Sequence, residues 1–167
     1  MLARSDLVDP GERHELLGGV IRAATEHHAL CRGGAADAEA GALDTGVGAS
    51  SALDMATDAE ALLEAGIALA KDTFSAFLES LVWTRDQVAR VITHQVGRAH
   101  HKALLEALRL DEEKAYVTFD RLGNVGSVSV PISLALAAEE GFVARGQSVA
   151  LLGIGSGLSS IMLGVRW

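Results

Sequence analysis

Two residues about thirty positions apart carry the types and settings that could do chemistry. His94 closes the run Val91-Ile92-Thr93-His94-Gln95, and Asn124 stands in Gly123-Asn124-Val125-Gly126-Ser127-Val128-Ser129-Val130-Pro131. The first run reads as a buried strand ending in polar residues. The second reads as a glycine-framed loop feeding a helix, so that the Asn124 amide projects beside a helix N-terminus. An imidazole and an amide presented in this way suit hydrogen-bond donation to one developing oxyanion. Taken singly, each has a plain structural reading as well, a strand-end histidine and a turn asparagine.

Other candidates are weaker. Cys31 is the only cysteine, and its context, Ala29-Leu30-Cys31-Arg32-Gly33, places no general base beside it, so burial is the simpler reading. Gly155-Ser156-Gly157-Leu158-Ser159 lacks the nucleophile-elbow pattern and lies between strands, which argues against a serine hydrolase. His27, His28 and Cys31, and the pair His100 and His101, do not give spaced ligands with a third in view; they read as solvated or cap-proximal histidines, and no metal is expected. The glycines from Gly153 to Gly157 open no helix, so neither a P-loop nor a dinucleotide fingerprint is supported. They read as a tight strand connection, with close approach of backbone N–H groups to a ligand as the functional alternative.

These residues must be positioned by elements legible from pattern. Leu16 to Thr25 reads as a strand and Glu26 to Cys31 as a helical turn. Residues 33–52, built almost wholly from Gly, Ala, Ser, Asp and Thr, read as a flexible insertion. Thr57-Asp58-Ala59-Glu60 forms a capping box that starts a helix to about Leu81. That helix buries Leu63, Ile67, Ala70, Phe74, Phe77 and Leu81 and exposes Glu60, Glu64, Lys71, Asp72, Ser75 and Glu79. Val88 to Thr93 is a strand, Gly97 to Leu108 a helix, Ala115 to Phe119 a strand, and Ser127 to Glu140 a helix closed by Gly141. Pro131 is tolerated in the first turn of that last helix. Its aliphatic residues cover nearly the whole circumference, which places it in the middle of something. Gln147 to Ile154 and Ser159 to Trp167 complete a strand pair. The alternation predicts an α/β fold of layered helices on a mixed sheet.

Composition bounds the rest. The chain has 167 residues, one domain's worth, with 49% hydrophobic but only 4% aromatic residues and a mean hydropathy of +0.26. That excess of aliphatic surface is expected to be buried in a dense core or against another polypeptide. A net charge of −8 excludes the basic footprint that nucleic acid requires. The apolar stretch from Val149 to Val165 is interrupted at its middle by Gly153, Gly155, Ser156 and Gly157, so two strands explain it better than a membrane span. With no signal peptide at Met1-Leu2-Ala3-Arg4 and one cysteine, the expected compartment is the cytoplasm.

Three segments in order, Ile92-Thr93-His94-Gln95, Leu122 to Pro131, and Ala150-Leu151-Leu152-Gly153-Ile154-Gly155-Ser156-Gly157-Leu158, resemble the C-terminal half of a thiolase-superfamily condensing enzyme. The resemblance is closest to 3-oxoacyl-acyl carrier protein synthase III. Within that group it leans toward the branch that joins two fatty acyl-CoA molecules head to head in olefin biosynthesis. It implies the C-terminal half of the thiolase-like fold over residues 1–167. It also implies a Cys-His-Asn site in which His94 and Asn124 stabilise the enolate of a second acyl thioester during Claisen condensation. The backbone N–H at Ser156 would serve the oxyanion on the acylated side. Arg98 is carried as a CoA phosphate contact. Gly97 departs from the asparagine that many relatives hold there.

The family's catalytic cysteine belongs to the N-terminal half, which nothing here matches; Cys31 falls in the wrong half to take that role. Met1-Leu2-Ala3-Arg4 looks like the end of the strand closing that half, so the chain is expected to begin inside a longer pattern. The resemblance therefore implies no cofactor beyond the acyl-CoA or acyl carrier protein thioester used as substrate, and a cysteine-bearing half or subunit as partner in a homo- or hetero-oligomer. It also implies inactivity alone. A truncated non-catalytic remnant and an accessory acyl-CoA-binding subunit stand as alternatives.

Overall fold

A computed structural model describes residue 9 and residues 13–33 and 55–167. The expectation for Met1 to Arg4 and nearly all of the 33–52 insertion fall outside the described residues. Gly33 itself is the last residue of a strand.

In chain order the elements are β1 (Glu15–Ala23), a 3-10 turn (Thr25–Leu30), β2 (Cys31–Gly33), β3 (Met55–Thr57), α1 (Ala59–Leu81), β4 (Arg90–Thr93), α2 (Arg98–Leu108), β5 (Ala115–Tyr116), α3 (Phe119–Leu122), α4 (Ser129–Glu139), β6 (Ser148–Gly155) and β7 (Ser159–Arg166). Five strands form one sheet in the order β1-β7-β6-β4-β5. β4 is parallel to both β5 and β6, whereas β7 runs antiparallel to β6 and β1. β2 and β3 form a separate antiparallel pair.

The alternation of side chains along a strand sends successive residues to opposite faces. Val91, Ala150, Leu152 and Met162 join Phe74, Phe77, Leu105 and Leu108 in a core under α1 and α2. Ile92 and Val149 join Tyr116, Ala137 and Val143 in a second core under α4. The central strand β4, buried on both faces, thus holds the two layers together and ends at His94.

Four expectations are corrected. The cap of α1 is Asp58, whose carboxylate accepts from Ala61 N at 3.1 Å; Thr57 is instead paired with Cys31 in the β2–β3 ladder. The buried face of α1 is Gly66, Leu69, Ala70, Thr73, Phe74, Phe77 and Leu78, with Leu63, Ile67 and Leu81 only half-buried. Thr73 can be buried because its hydroxyl donates to Leu69 O at 2.7 Å. β5 stops at Tyr116 because the N–H groups of Thr118 and Phe119 turn to the Gln95 side chain rather than to a ladder.

The fourth concerns the last helix. It begins as a 3-10 turn at Gly126–Val128, and α4 proper then buries only the small residues Ser129, Ser133 and Ala137. Its aliphatic side chains flank or leave that contact, with Val128 at 51% and Ile132 at 37% exposure. On the same side of the sheet Ile21 is 73% and Ile161 40% exposed.

Close approach to backbone is tightest at Gly19 of β1. A Cβ there would lie 2.5 Å from Met162 O and 2.5 Å from Leu163 Cδ2, and backbone cannot swing aside as a side chain can. Gly19→Ala is expected to cost about 1–3 kcal/mol, the range for overpacking. Gly155→Ala, where nothing lies within 4 Å, serves as the matched control. Chemical denaturation of both variants checks this; equal midpoints would contradict it.

Candidate active site

His94 continues β4 by one ladder bond, its N–H donating to Leu152 O at 2.8 Å. The strand is held from both sides by β5 and β6, so the imidazole leaves a rigid support at the end of the sheet. The ring is half-buried and opens on a cavity of about 340 Å³. Ser127 and Val130 close one side of this cavity, and Gly153, Gly155 and Ser159 another. Three segments far apart in sequence therefore border one space: the end of β4, the loop into α4, and the β6–β7 turn.

Asn124 and Ser156 stand just outside that lining, three residues and one residue from members of it. Gly123 and Gly126 flank Asn124 in the left-handed region, with φ of 66° and 63°, where glycine carries no Cβ penalty. The Asn124 side-chain oxygen accepts from Gly126 N at 3.0 Å. Because the partner is an N–H, that atom must be the amide oxygen, and the Nδ2 donors are the end left to face outward. Ser156 occupies the exposed turn between β6 and β7, a tight connection as its glycines predict. The turn is docked by Leu158, whose backbone exchanges hydrogen bonds with Ala24 at 2.9 and 3.2 Å.

Arg98 is paired with an exposed carboxylate. Its guanidinium grips both carboxylate oxygens of Asp120 at 2.9 Å and lies over the Phe119 ring at 5.8 Å. The pair is 78% and 55% exposed, so it contributes little to stability, but it tethers α2 to α3.

The sequence reading missed the residue that connects these parts. Gln95 is fully buried. Its Nε2 donates to Thr93 O at 3.0 Å, Thr93 Oγ1 at 3.2 Å and Tyr116 O at 3.3 Å. Its Oε1 accepts from Thr118 N at 3.0 Å and Phe119 N at 3.3 Å. Thr118 Oγ1 in turn meets Ser133 Oγ of α4 at 2.8 Å. A buried chain of hydrogen bonds thus runs from the residue after His94 to the helix that follows Asn124. The available signal was the strand period: Val91, Thr93 and Gln95 share one face, which makes Gln95 a buried amide in need of partners.

The paired histidines are cap-proximal, in the first turn of α2, but they are not solvated. His101 is not solvated: it is buried, its Nδ1 lies 3.3 Å from Thr93 Oγ1, and its ring meets Phe119 edge-on. His100 has a buried Nδ1 with no hydrogen-bond partner, a situation that typically costs about 1–3 kcal/mol. His28 Nδ1 bonds Thr25 O at 3.0 Å. Among the described residues no three or more His, Cys, Asp or Glu side chains gather as metal ligands, and no helix is long and apolar enough to cross a membrane.

Burial holds His94 below its ordinary value of 6.5, so it stands as neutral imidazole at neutral pH, with one N–H donor and one acceptor. Burial lowers His100 as well, with His94 and then His101 adding to the effect. It also lowers His101, against an opposing pull from Glu112. An unfolded chain protonates these rings near 6.5 while the folded one resists. Stability from this source is therefore level above about 6.5 and falls as pH drops from there through the depressed folded values. Thermal melts at pH 7.5 and 5.5 should show the lower midpoint at 5.5, with a smaller gap in His100→Gln; an unchanged gap in that variant would count against it.

The acyl-CoA:acyl-CoA alkyltransferase of Shewanella oneidensis is 42% identical over 156 residues, which is 93% of this chain and 42% of that protein. That of Xanthomonas campestris pv. campestris is 39% identical over all 167 residues and 44% of its own length. A crystal structure of Xanthomonas campestris OleA with bound lauric acid and lauroyl-CoA superposes with a TM-score of 0.83 at 38% identity, covering 99% of this chain and 43% of that one. The chain thus spans under half the length of these relatives, and its fold is the thiolase-like half they share. The family described as "3-Oxoacyl-[acyl-carrier-protein (ACP)] synthase III C terminal" matches residues 78–167, which hold β4, α2, α4 and the β6–β7 turn, and the chain belongs to that family of condensing enzymes.

Proposed function

We propose that this chain supplies the oxyanion-binding half of an acyltransferase that joins two acyl-CoA thioesters by Claisen condensation, the nucleophilic cysteine coming from an N-terminal half on the same or another polypeptide. One observation carries the reading: a rigidly supported, neutral His94 opens on a cavity bordered by the loop of Asn124 and the turn of Ser156. The names of the Shewanella and Xanthomonas relatives favour acyl-CoA over acyl carrier protein for both thioesters.

In this reading one acyl group first passes from CoA to the cysteine. A base outside the described residues then takes an α-proton from the second thioester. The resulting enolate oxygen accepts from the His94 N–H and from Asn124 Nδ2–H. The N-terminal end of the 3-10 turn and α4 adds its positive dipole. The α-carbon attacks the acyl-enzyme carbonyl, whose oxygen is held by the Ser156 backbone N–H, and the cysteine leaves as thiolate. A 3-oxoacyl-CoA results. Arg98 keeps most of its surface open to solvent, where a CoA phosphate can meet it alongside Asp120. The exposed aliphatic side chains Ile21, Ile161, Val128 and Ile132 form the surface that the cysteine-bearing half covers. Thioester substrates of this kind place the work in the cytoplasm.

The test is reconstitution. The chain alone should neither condense nor hydrolyse lauroyl-CoA and should self-associate in light scattering. With a cysteine-bearing half from a relative, it should release free CoA and a 3-oxo product. Binding of lauroyl-CoA without product by the completed pair would instead favour an accessory role.

A further inference from the structure

α3, the single turn that leads into the Asn124 loop, has no anchor in either core. None of its four residues is buried. The loop after it is nearly as bare: Asn124 is exposed, and a Cβ built on Gly123 or Gly126 would meet nothing within 4 Å. A loop with so little packing of its own takes its position from its two ends. The rear end is α4, seated on the sheet by Ser129, Ser133 and Ala137. The front end is α3, which hangs on side-chain hydrogen bonds.

Arg121, three residues before Asn124, makes the tether that spans furthest along the chain on this side. Its Nη1 donates to Glu140 Oε1 at 2.7 Å and its Nη2 to the Tyr116 hydroxyl at 2.7 Å. That hydroxyl donates to Glu140 Oε2 at 2.5 Å, which closes a ring of three hydrogen bonds. Tyr116 is a buried residue of β5, and Glu140 is the C-cap of α4. The ring therefore joins the edge strand, the turn before the loop and the far end of the helix after it. A carboxylate at a helix C-terminus meets the negative end of the dipole, so Glu140 is not favoured by its own helix. Its charge is held from across the gap instead: the Tyr116 hydroxyl, and then Arg121, keep its carboxyl below the ordinary value of 4.5. None of the three side chains takes part in the scheme above.

We propose that Arg121 is a positioning residue for Asn124, acting through the ring it forms with Tyr116 and Glu140. The ring closes the segment from Arg121 to Glu140 on itself, with the Asn124 loop and α4 inside it, and so fixes the front of the loop to the end of the helix. The significance of that for catalysis rests on the reading of Asn124 as an oxyanion donor; the placement of the loop does not. Arg121 and Glu140 are 49% and 46% exposed, and an ion pair so open to water contributes little to stability. The ring is therefore expected to show in the position of Asn124 more than in the melting temperature.

The experiment joins crystallography and kinetics on the chain assembled with its cysteine-bearing half, with lauroyl-CoA as substrate. Arg121→Met keeps the length of the side chain and loses its donors. It should melt close to the wild type and shift Asn124 relative to His94. It should lower kcat for condensation roughly tenfold with KM and cysteine acylation unchanged, since a small misplacement of a reacting group is costly. Arg121→Glu, which sets two carboxylates face to face, should lose more. Adding Glu140→Arg to it rebuilds the ring with its ends exchanged and should recover most of the rate and the Asn124 position. A folded Arg121→Met with unaltered kcat and Asn124 position overturns the proposal, as does a double variant no better than Arg121→Glu. If Arg121→Met does not fold, the double variant set against Arg121→Glu decides it. If the assembled wild type does not condense lauroyl-CoA, the functional reading fails, while the position of Asn124 in these structures still decides this inference.

Discussion

In the completed enzyme, His94→Ala is expected to lower the condensation rate by on the order of 10²–10³ while leaving acylation of the partner's cysteine near wild type. That loss is the usual cost of deleting one preorganised oxyanion donor. In the proposed scheme the two half-reactions separate because His94 and Asn124 would face the enolate of the second thioester, whereas the Ser156 backbone would face the first. Asn124→Ala should give a loss of similar size. The double variant should be little worse than either single one, because donors that act as a unit are not additive. Asn124→Asp should be worse than Asn124→Ala, since a carboxylate would accept where a donor is needed and repel the developing charge. Mass spectrometry of the acylated cysteine, set beside free CoA released in the condensation step, reads the two reactions apart. Equal loss in both would remove His94 from the role assigned to it.

Much of this arrangement could be read from the residues because local pattern and tertiary demand agree. β4 is a short apolar run with a polar end, and the sheet buries it on both faces. The glycines about Asn124 announced a loop, and Gly123 and Gly126 adopt positive φ in it. The interrupted run from Val149 to Val165 is a strand pair, as its central glycines require. The failures arise where long-range partners override what the local pattern suggests. The Gln95 amide captures Thr118 N and Phe119 N, so β5 ends early, although Val117 and Phe119 are good strand residues. Pairing of Thr57 with Cys31 passes the cap of α1 to Asp58. In α4, apolar residues all round hid the fact that its contact with the sheet is a stripe of small residues, Ser129, Ser133 and Ala137. That stripe lets the helix sit close enough for Ser133 to reach Thr118. Asn124 and His94 could be proposed from sequence; the links between their supports could not, because those depend on which long-range partner each buried polar group finds.

Those links yield the prediction with the largest expected effect on the fold. Gln95→Leu keeps nearly the same volume and removes every hydrogen bond that the side chain makes. Thr118 N, Phe119 N and Tyr116 O then lose the partner that Gln95 supplies, at a position closed to water. At about 1–3 kcal/mol for each buried group left unpaired, the sum reaches at least roughly 3 kcal/mol, a large share of the 5–15 kcal/mol that holds a typical domain together. Gln95→Glu should be intermediate: its oxygens can still accept from Thr118 and Phe119, but as a carboxylate it faces Thr93 O and Tyr116 O with no proton to offer. Thermal melts give the ranking, and hydrogen exchange at Thr118 and Phe119 locates the damage. In the completed enzyme the same change should lower kcat more than it raises KM. The cause is that Gln95 joins the end of β4 to Thr118, Thr118 joins Ser133 of α4, and α4 with its preceding turn fixes where Asn124 stands relative to His94. A Gln95→Leu protein that melts with the wild type and keeps its kcat would mean that the two donors are aligned by the sheet and helix backbones alone.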